Sequence, residues 1–273
     1  MKSIAVLLTV FNRKASTLQC LHALFDQDMP EGYDMTVYMT NDGCTDGTPE
    51  AVRKEYPDVK IIDGDGSLYW NRGMFTAWDT AAKEKDYDFY LWLNDDCSVY
   101  PYLIARLTEV STSKDDNAII VGATQSHNHS KQTYGGRLLT DCFPKIDETL
   151  AKIDYFNGNI VFIPRAVFKQ LGNLDYYFTH RFGDYDYGMR AKKACIDMWQ
   201  VGEYLGECDD HPSLDMWCNP EVPFSQRWKR LWQPNGMPPN EVFHFENRHK
   251  NIIIASMHYC STILHCCFPI IWK

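Results

Sequence analysis

The chain has 273 residues, enough for one large domain or two small ones, and the composition of an ordinary soluble globular protein with a high aromatic share. Its formal net charge of -9 argues against a nucleic-acid binder, which needs a basic face, but leaves an anionic ligand open. The ten cysteines form no CxxC pattern, and Met1-Lys2-Ser3-Ile4 runs straight into a strand without a signal peptide, so reduced thiols in a cytosol are expected.

Ser3 to Val10 is a short apolar run and reads as a buried parallel strand. Ser16 caps a predicted helix to about Asp28, with Leu18, Leu21, Leu24 and Phe25 on one face. A second strand, Met35 to Met39, leads into the turn-rich loop Asn41 to Thr48, and Pro49 opens a helix to about Tyr56. Val59 to Ile62 is a third strand, Asp63 to Gly66 a tight turn, Asn71 to Lys85 a helix and Phe89 to Leu93 a fourth strand. Further on, the pattern predicts helices over Tyr102 to Ser111, Ala166 to Gln170 and Asp184 to Cys195. It predicts strands over Ala118 to Ala123 and Ile160 to Ile163, and an irregular cover from Cys208 to Asn240.

Alternating strands and helices imply a mostly parallel sheet flanked by helices, an α/β fold whose ligands bind beyond the carboxyl ends of the strands. Three polar clusters fall there: Thr9 to Arg13, Asn41 to Thr48 and Asn94 to Asp96. Adjacent carboxylates after a buried strand, Asp95 and Asp96, repel each other and lose solvation. Open water, a cationic side chain or a divalent metal carrying phosphates can offset that cost.

These motifs, in this order, resemble glycosyltransferase family 2 with the GT-A (Rossmann-like) fold. The resemblance covers roughly Ser3 to Cys195. Leu8 to Arg13 is similar to the family's first strand and turn, and Asn41-Asp42-Gly43-Cys44-Thr45-Asp46-Gly47-Thr48 to its DDGSTDGT loop. Asn71-Arg72-Gly73 resembles an N-x-G helix start, Asn94-Asp95-Asp96 stands at the DxD position, and Phe182 to Arg190 resembles an EDxDxxxR segment. Gly66 to Met74, Asn157-Gly158-Asn159 and Ile163-Pro164-Arg165 are similar to bacterial members that build surface polysaccharides.

The resemblance implies an inverting transfer of a sugar from a nucleotide-diphosphate donor to a saccharide or lipid-linked acceptor. A divalent metal, Mn2+ or Mg2+, would neutralise the departing diphosphate. Asp96 is then the expected metal ligand, with His211 as a third ligand or a solvated loop residue. Thr9, Asn12, Asp42, Asp65, Asn71, Gly73, Asn94 and Asp95 are expected on the nucleotide sugar, and Asn157, Gly158 and Asn159 on the acceptor. Asp42 and Asp65 also suit turn formation, and Asp46 suits a helix cap. A sugar hydroxyl needs a general base. Asp184 is the first choice, with a helix N-cap as its competing role, and Asp186 is the second. Arg190 would anchor the segment by an ion pair, and Arg227, Lys229 and Arg230 would face the diphosphate or solvent.

The expected organisation is a transferase domain over 1–207, with a nucleotide-sugar half to about 98 and an acceptor half beyond, then an extension over 208–273. The apolar end, Asn251 to Trp272, is too interrupted to span a membrane. Packing or a homodimer is favoured, and loose association with the inner face of the cell membrane stays open. A nucleotidyltransferase that makes sugar nucleotides and a non-catalytic carbohydrate-binding protein are the alternatives.

Overall fold

The computed structural model describes residues 1–210 and 215–272. In chain order the first half runs β1 (Lys2–Val10), α1 (Lys14–Phe25), β2 (Tyr33–Asn41), α2 (Thr48–Glu55), β3 (Lys60–Asp63), α3 (Tyr69–Glu84) and β4 (Phe89–Leu93). Then come β5 (Ser98–Val99), α4 (Leu103–Thr112), β6 (Ile119–Gln125), β7 (Gln132–Tyr134), β8 (Gly136–Arg137), β9 (Ala151–Lys152), β10 (Tyr155–Phe156) and β11 (Ile160–Pro164). The remainder is α5 (Arg165–Leu171), α6 (Gly183–Lys193), β12 (Met198–Glu207), α7 (Phe224–Leu231), α8 (Pro239–His249) and α9 (Ile252–Cys267), closed by a short 3-10 turn at Pro269–Trp272.

β1 is apolar on both sides because both sides are covered. Ile4, Val6 and Leu8 pack with Leu21 and Leu24 of α1, while Ala5 and Leu7 pack with Met74 and Trp78 of α3. The main sheet has the order β3-β2-β1-β4-β11-β6-β12-β5. β1 is parallel to both β2 and β4, so the chain winds outward to β3 and then crosses to the other side of β1. The strand order therefore reverses between β1 and β4, the point where open α/β sheets form a ligand crevice. β11 runs antiparallel to β4, with Ile160 opposite Leu93. That register delivers Asn157 to Asn159 to the carboxyl end of β4, where the Asn94 N–H donates to the Asn159 carbonyl at 3.1 Å.

Local departures from the sequence expectations have local causes. α1 begins at Lys14, and Ser16 does not cap it: its hydroxyl donates to the Arg13 carbonyl. The first N–H of α1, on Lys14, goes instead to Asp46 Oδ2. α3 begins at Tyr69 because Asp42, just past β2, accepts the N–H groups of Leu68 and Tyr69. β12 was not foreseen; Gln200, Gly202 and Gly206 interrupt its apolar pattern and its register against β6 shifts twice.

Among its described residues, the segment expected to be an irregular cover holds one helix, α7, and ends in the first residues of α8. α7, α9 and the loop around Trp217 share a small core of Trp217, Cys218, Leu231 and Cys266. α8 reaches back to the sheet domain. Its Arg248 and His249 both bond Asp186 of α6, and Glu241 accepts the Thr179 N–H. α9 leaves Ile252, Ile253, Met257 and Leu264 exposed. Among the described residues no helix is long and apolar enough to cross a membrane. All ten cysteines are free thiols.

Candidate active site

A cleft of about 780 Å³ opens at the β1–β4 switch point and takes residues from both halves of the sheet. Thr9, Asp42, Asn94, Asp95 and Asp96 line one side, and Asn157, Gly158, Asn159 and Asp184 line the other. Its volume falls in the range of small-molecule and cofactor pockets.

The acidic pair is offset by a cation. Arg13, the last residue of the Thr9–Arg13 cluster, places one guanidinium nitrogen 3.3 Å from Asp95 and 2.7 Å from Asp96. Asp95 is buried and also accepts from the Thr17 hydroxyl at 3.1 Å. Burial raises its pKa to about 6, against the opposing pull of Arg13. Asp96 is more open, with 28% of its side chain exposed. Asn94 turns its amide oxygen to the Trp70 indole N–H at 2.7 Å.

Asp184 sits in the first turn of α6. Its Oδ2 accepts the Gly158 N–H at 2.9 Å and its Oδ1 the N–H of Tyr185. Burial lifts its pKa to about 6, with those two N–H groups opposing. Gly158 must be glycine, since a Cβ there would lie 2.5 Å from the Trp70 ring. Phe182, just before the helix, holds a left-handed backbone with φ 70°. Asn157 is fixed by Arg137 Nε at 3.1 Å and by the Tyr185 hydroxyl at 3.2 Å.

Several expected site residues lie elsewhere. Asp186 is fully buried and bonded to Arg190, Arg248 and His249. Burial pushes its pKa up, but the His249 hydrogen bond and the two guanidinium charges outweigh it and hold the carboxyl below the usual range. It does not reach the cleft, so Asp186 as a base is corrected to an anchor, and Arg190 makes the ion pair foreseen for it. Asn71 is buried and donates to the Asp175 and Phe178 carbonyls, which pins a loop. Gly73 lets α3 approach β1, where a Cβ would meet Thr9 Oγ1 at 2.1 Å. Asn12 accepts from Thr45 and braces the 41–48 loop. Asp65 accepts from Ser67 in a local turn. Asp42 lines the cleft, yet both its oxygens accept N–H groups of Gly66, Leu68 and Tyr69. Arg227 is buried on the carbonyls of Cys266 and Cys267, away from the cleft. His211 lies outside the described residues.

The loop before α6 adds His180 and Arg181 to the cleft, which sequence reasoning did not find. Asn71 and Arg72 of α3 hold this loop from one side and Glu241 of α8 from the other. Burial and the charges of Arg181 and Arg13 lower the His180 pKa to about 4, so it is neutral at neutral pH. Arg181 is paired with Asp215 at 2.8 Å. The sequence signal was only a His-Arg dipeptide beside the acidic segment.

The sheet order and the position of the cleft agree with comparison with known proteins. Residues 5–176 match the profile of glycosyl transferase family 2, and the chain belongs to that family. It is therefore a glycosyltransferase, and its mostly parallel sheet is the GT-A fold. No curated protein matches it at the sequence level. It is similar in fold to S. aureus TarS 1-349 in complex with UDP-GlcNAc, at 13% identity and TM-score 0.60, covering 97% of this chain and 72% of that one. S. aureus TarS itself gives 16% identity and TM-score 0.58; 91% of this chain is covered, and the match spans only 43% of TarS. The mannosyltransferase PcManGT from Pyrobaculum calidifontis, in complex with GDP-Man and Mn2+, gives 15% identity and TM-score 0.57, with coverages of 97% and 74%.

Proposed function

We propose that the cleft binds a nucleoside-diphosphate sugar and transfers the sugar, with inversion, to a hydroxyl of a saccharide or lipid-linked saccharide in surface-polysaccharide synthesis at the inner face of the cell membrane. The observation that carries this reading is a half-buried carboxylate held only by backbone N–H groups, Asp184, in one cleft with the carboxylate pair Asp95 and Asp96. A general base works best with a pKa near the operating pH, and Asp184 satisfies that while Asp186 does not.

Asp184 takes the proton of the acceptor hydroxyl as its oxygen bonds to the anomeric carbon. The bond from that carbon to the diphosphate breaks, and its electron pair stays on the departing phosphate oxygen. A single displacement of this kind inverts the anomeric configuration. Asn157 and Gly158 position the acceptor beside Asp184, and Trp70 packs under them.

The donor side fits a divalent ion. Asp96 presents a half-exposed carboxylate to the cleft, and an oxygen-loving ion such as Mn2+ or Mg2+ needs only one or two carboxylates plus water and phosphate. When bound, the ion neutralises the leaving diphosphate. Arg13 and Arg181 add fixed positive charge on the same wall, and neutral His180 adds a hydrogen-bonding group; among the described residues its buried Nδ1 has no partner. Thr9 and Asp42 form the nucleoside end, Asp42 by shaping the 66–69 turn.

Incubation with UDP- and GDP-sugars and Mn2+ tests this reading. Release of nucleoside diphosphate, slow without acceptor and faster with it, is expected. No release from any nucleotide sugar by the wild type, while Asp184→Asn and wild type behave alike, contradicts it.

A further inference from the structure

Behind Asp96, on the side away from the donor cleft, lies a second cavity of about 250 Å³. Its wall includes Cys20, Asp96, Cys97, His127, Cys208 and Asp209. Three buried thiols and a carboxylate in one small space is an unusual lining, and the transfer reaction makes no use of the thiols.

The ligand atoms of Asp96, Cys97 and Cys208 all lie within 4.8 Å of one another. Cys208 Sγ is already 3.5 Å from Asp96 Oδ1. A tetrahedral ion with Zn–S bonds of about 2.3 Å needs donor atoms about 3.5 to 3.8 Å apart, so small side-chain rotations complete the set. The Asn159 side-chain amide points N–H groups at both sulfurs, at 3.9 Å to Cys97 and 3.7 Å to Cys208, which favours electron-rich sulfur at both positions. His127 and Asp209, paired at 3.2 Å, line the same cavity.

We propose that Cys97, Cys208 and Asp96 form a binding site for a thiophilic divalent cation of the Zn2+ class, separate from the oxygen-ligand site on the donor side. Binding exchanges the two thiol protons, which pass to solvent, for the ion. Two sulfurs select a soft or borderline ion over Mg2+ or Mn2+. Because Asp96 faces both spaces, occupancy withdraws it from the cleft. That last consequence rests on the proposed function; the site itself does not.

The test uses the full chain with the exposed thiols removed, Cys142→Ser/Cys195→Ser/Cys260→Ser, titrated with Cd2+ alone and followed by thiolate-to-cadmium charge-transfer absorption. One equivalent is expected to saturate the band. Adding Cys97→Ser/Cys208→Ser should abolish it, and Asp96→Asn should keep it while weakening affinity at least tenfold. Cys208→Ser alone serves if the double variant fails to keep the parent's circular dichroism, and should weaken affinity at least tenfold. A protein with no band at one equivalent, or a band unchanged by losing Cys97 and Cys208, overturns the site. Donor turnover is not needed for this readout, so it stands or falls apart from the transfer reaction.

Discussion

Asp184 and Asp186 lie two residues apart in the first turn of α6 and occupy opposite environments. Asp184 faces the cleft, bonded only to backbone N–H groups, and burial raises its pKa to about 6. Asp186 faces inward, between Arg190, Arg248 and His249, and those partners hold its carboxyl low. One helix turn thus separates a carboxylate able to accept a proton from one locked as a structural anion.

Asp184→Asn is nearly isosteric. It should leave folding and nucleotide binding in place and lower transfer by a factor on the order of 10² to 10⁴. Single-turnover kinetics beside calorimetry with the free nucleotide separates the two effects. A variant with wild-type turnover removes Asp184 from the base role.

The pH dependence follows with its sign. A base must be deprotonated, so kcat/KM should rise with pH through about 6 and level off above it. The same raised pKa means that folding binds the proton more tightly than the unfolded chain does. Stability from this group is therefore full below about 4 and fades as pH climbs to about 6. Asp184→Asn should flatten that part of the stability profile in urea melts.

Asp186→Asn should act on stability instead. Removing the charge weakens the bonds from Arg190, Arg248 and His249, but Arg190 keeps the Leu171 and Asn173 carbonyls and Arg248 keeps Asp175, so the expected loss is about 1.5 to 3 kcal/mol. Chemical denaturation checks this. If Asp186→Asn folds like the wild type but does not turn over, the two roles are exchanged.

Truncation before Ile252 should give an aggregating protein. It removes Cys266 from the core shared with Trp217 and Leu231, and it removes the carbonyls that hold the buried Arg227. Size-exclusion chromatography reads the outcome. A soluble, active monomer lost only from liposome pull-downs would show the segment to be a membrane anchor.

The parallel strands β1 to β4 and the cleft's position were legible because buried parallel strands are continuous apolar runs, and their carboxyl ends mark the site. Asn94 to Asp96 could be read for the same reason, whereas Asn157 to Asn159, at the amino end of the antiparallel β11, were reached only through the family resemblance. Arg13 could be seen only as a turn residue, because its reach to Asp95 and Asp96 depends on β1 and β4 being neighbours. Asn71 and Gly73 matched a motif, but the motif reports how α3 packs, not what the cleft holds. Asp42 had two chemically sound uses, and only the turn brought over it by β3 shows both its oxygens taken by backbone. His180 and Arg181 sit on a loop without periodicity, held in place by α8 from far along the chain.

The proposed transfer requires the cleft to hold a metal-bound nucleoside diphosphate through Asp96. Calorimetry with UDP and GDP, in the presence of Mn2+ and again in EDTA, tests it most directly on the wild type and on Asp96→Ala. Binding by the wild type with Mn2+, lost in EDTA and in Asp96→Ala at every Mn2+ concentration, is the predicted result. Binding of equal strength in EDTA, or in Asp96→Ala, would contradict it.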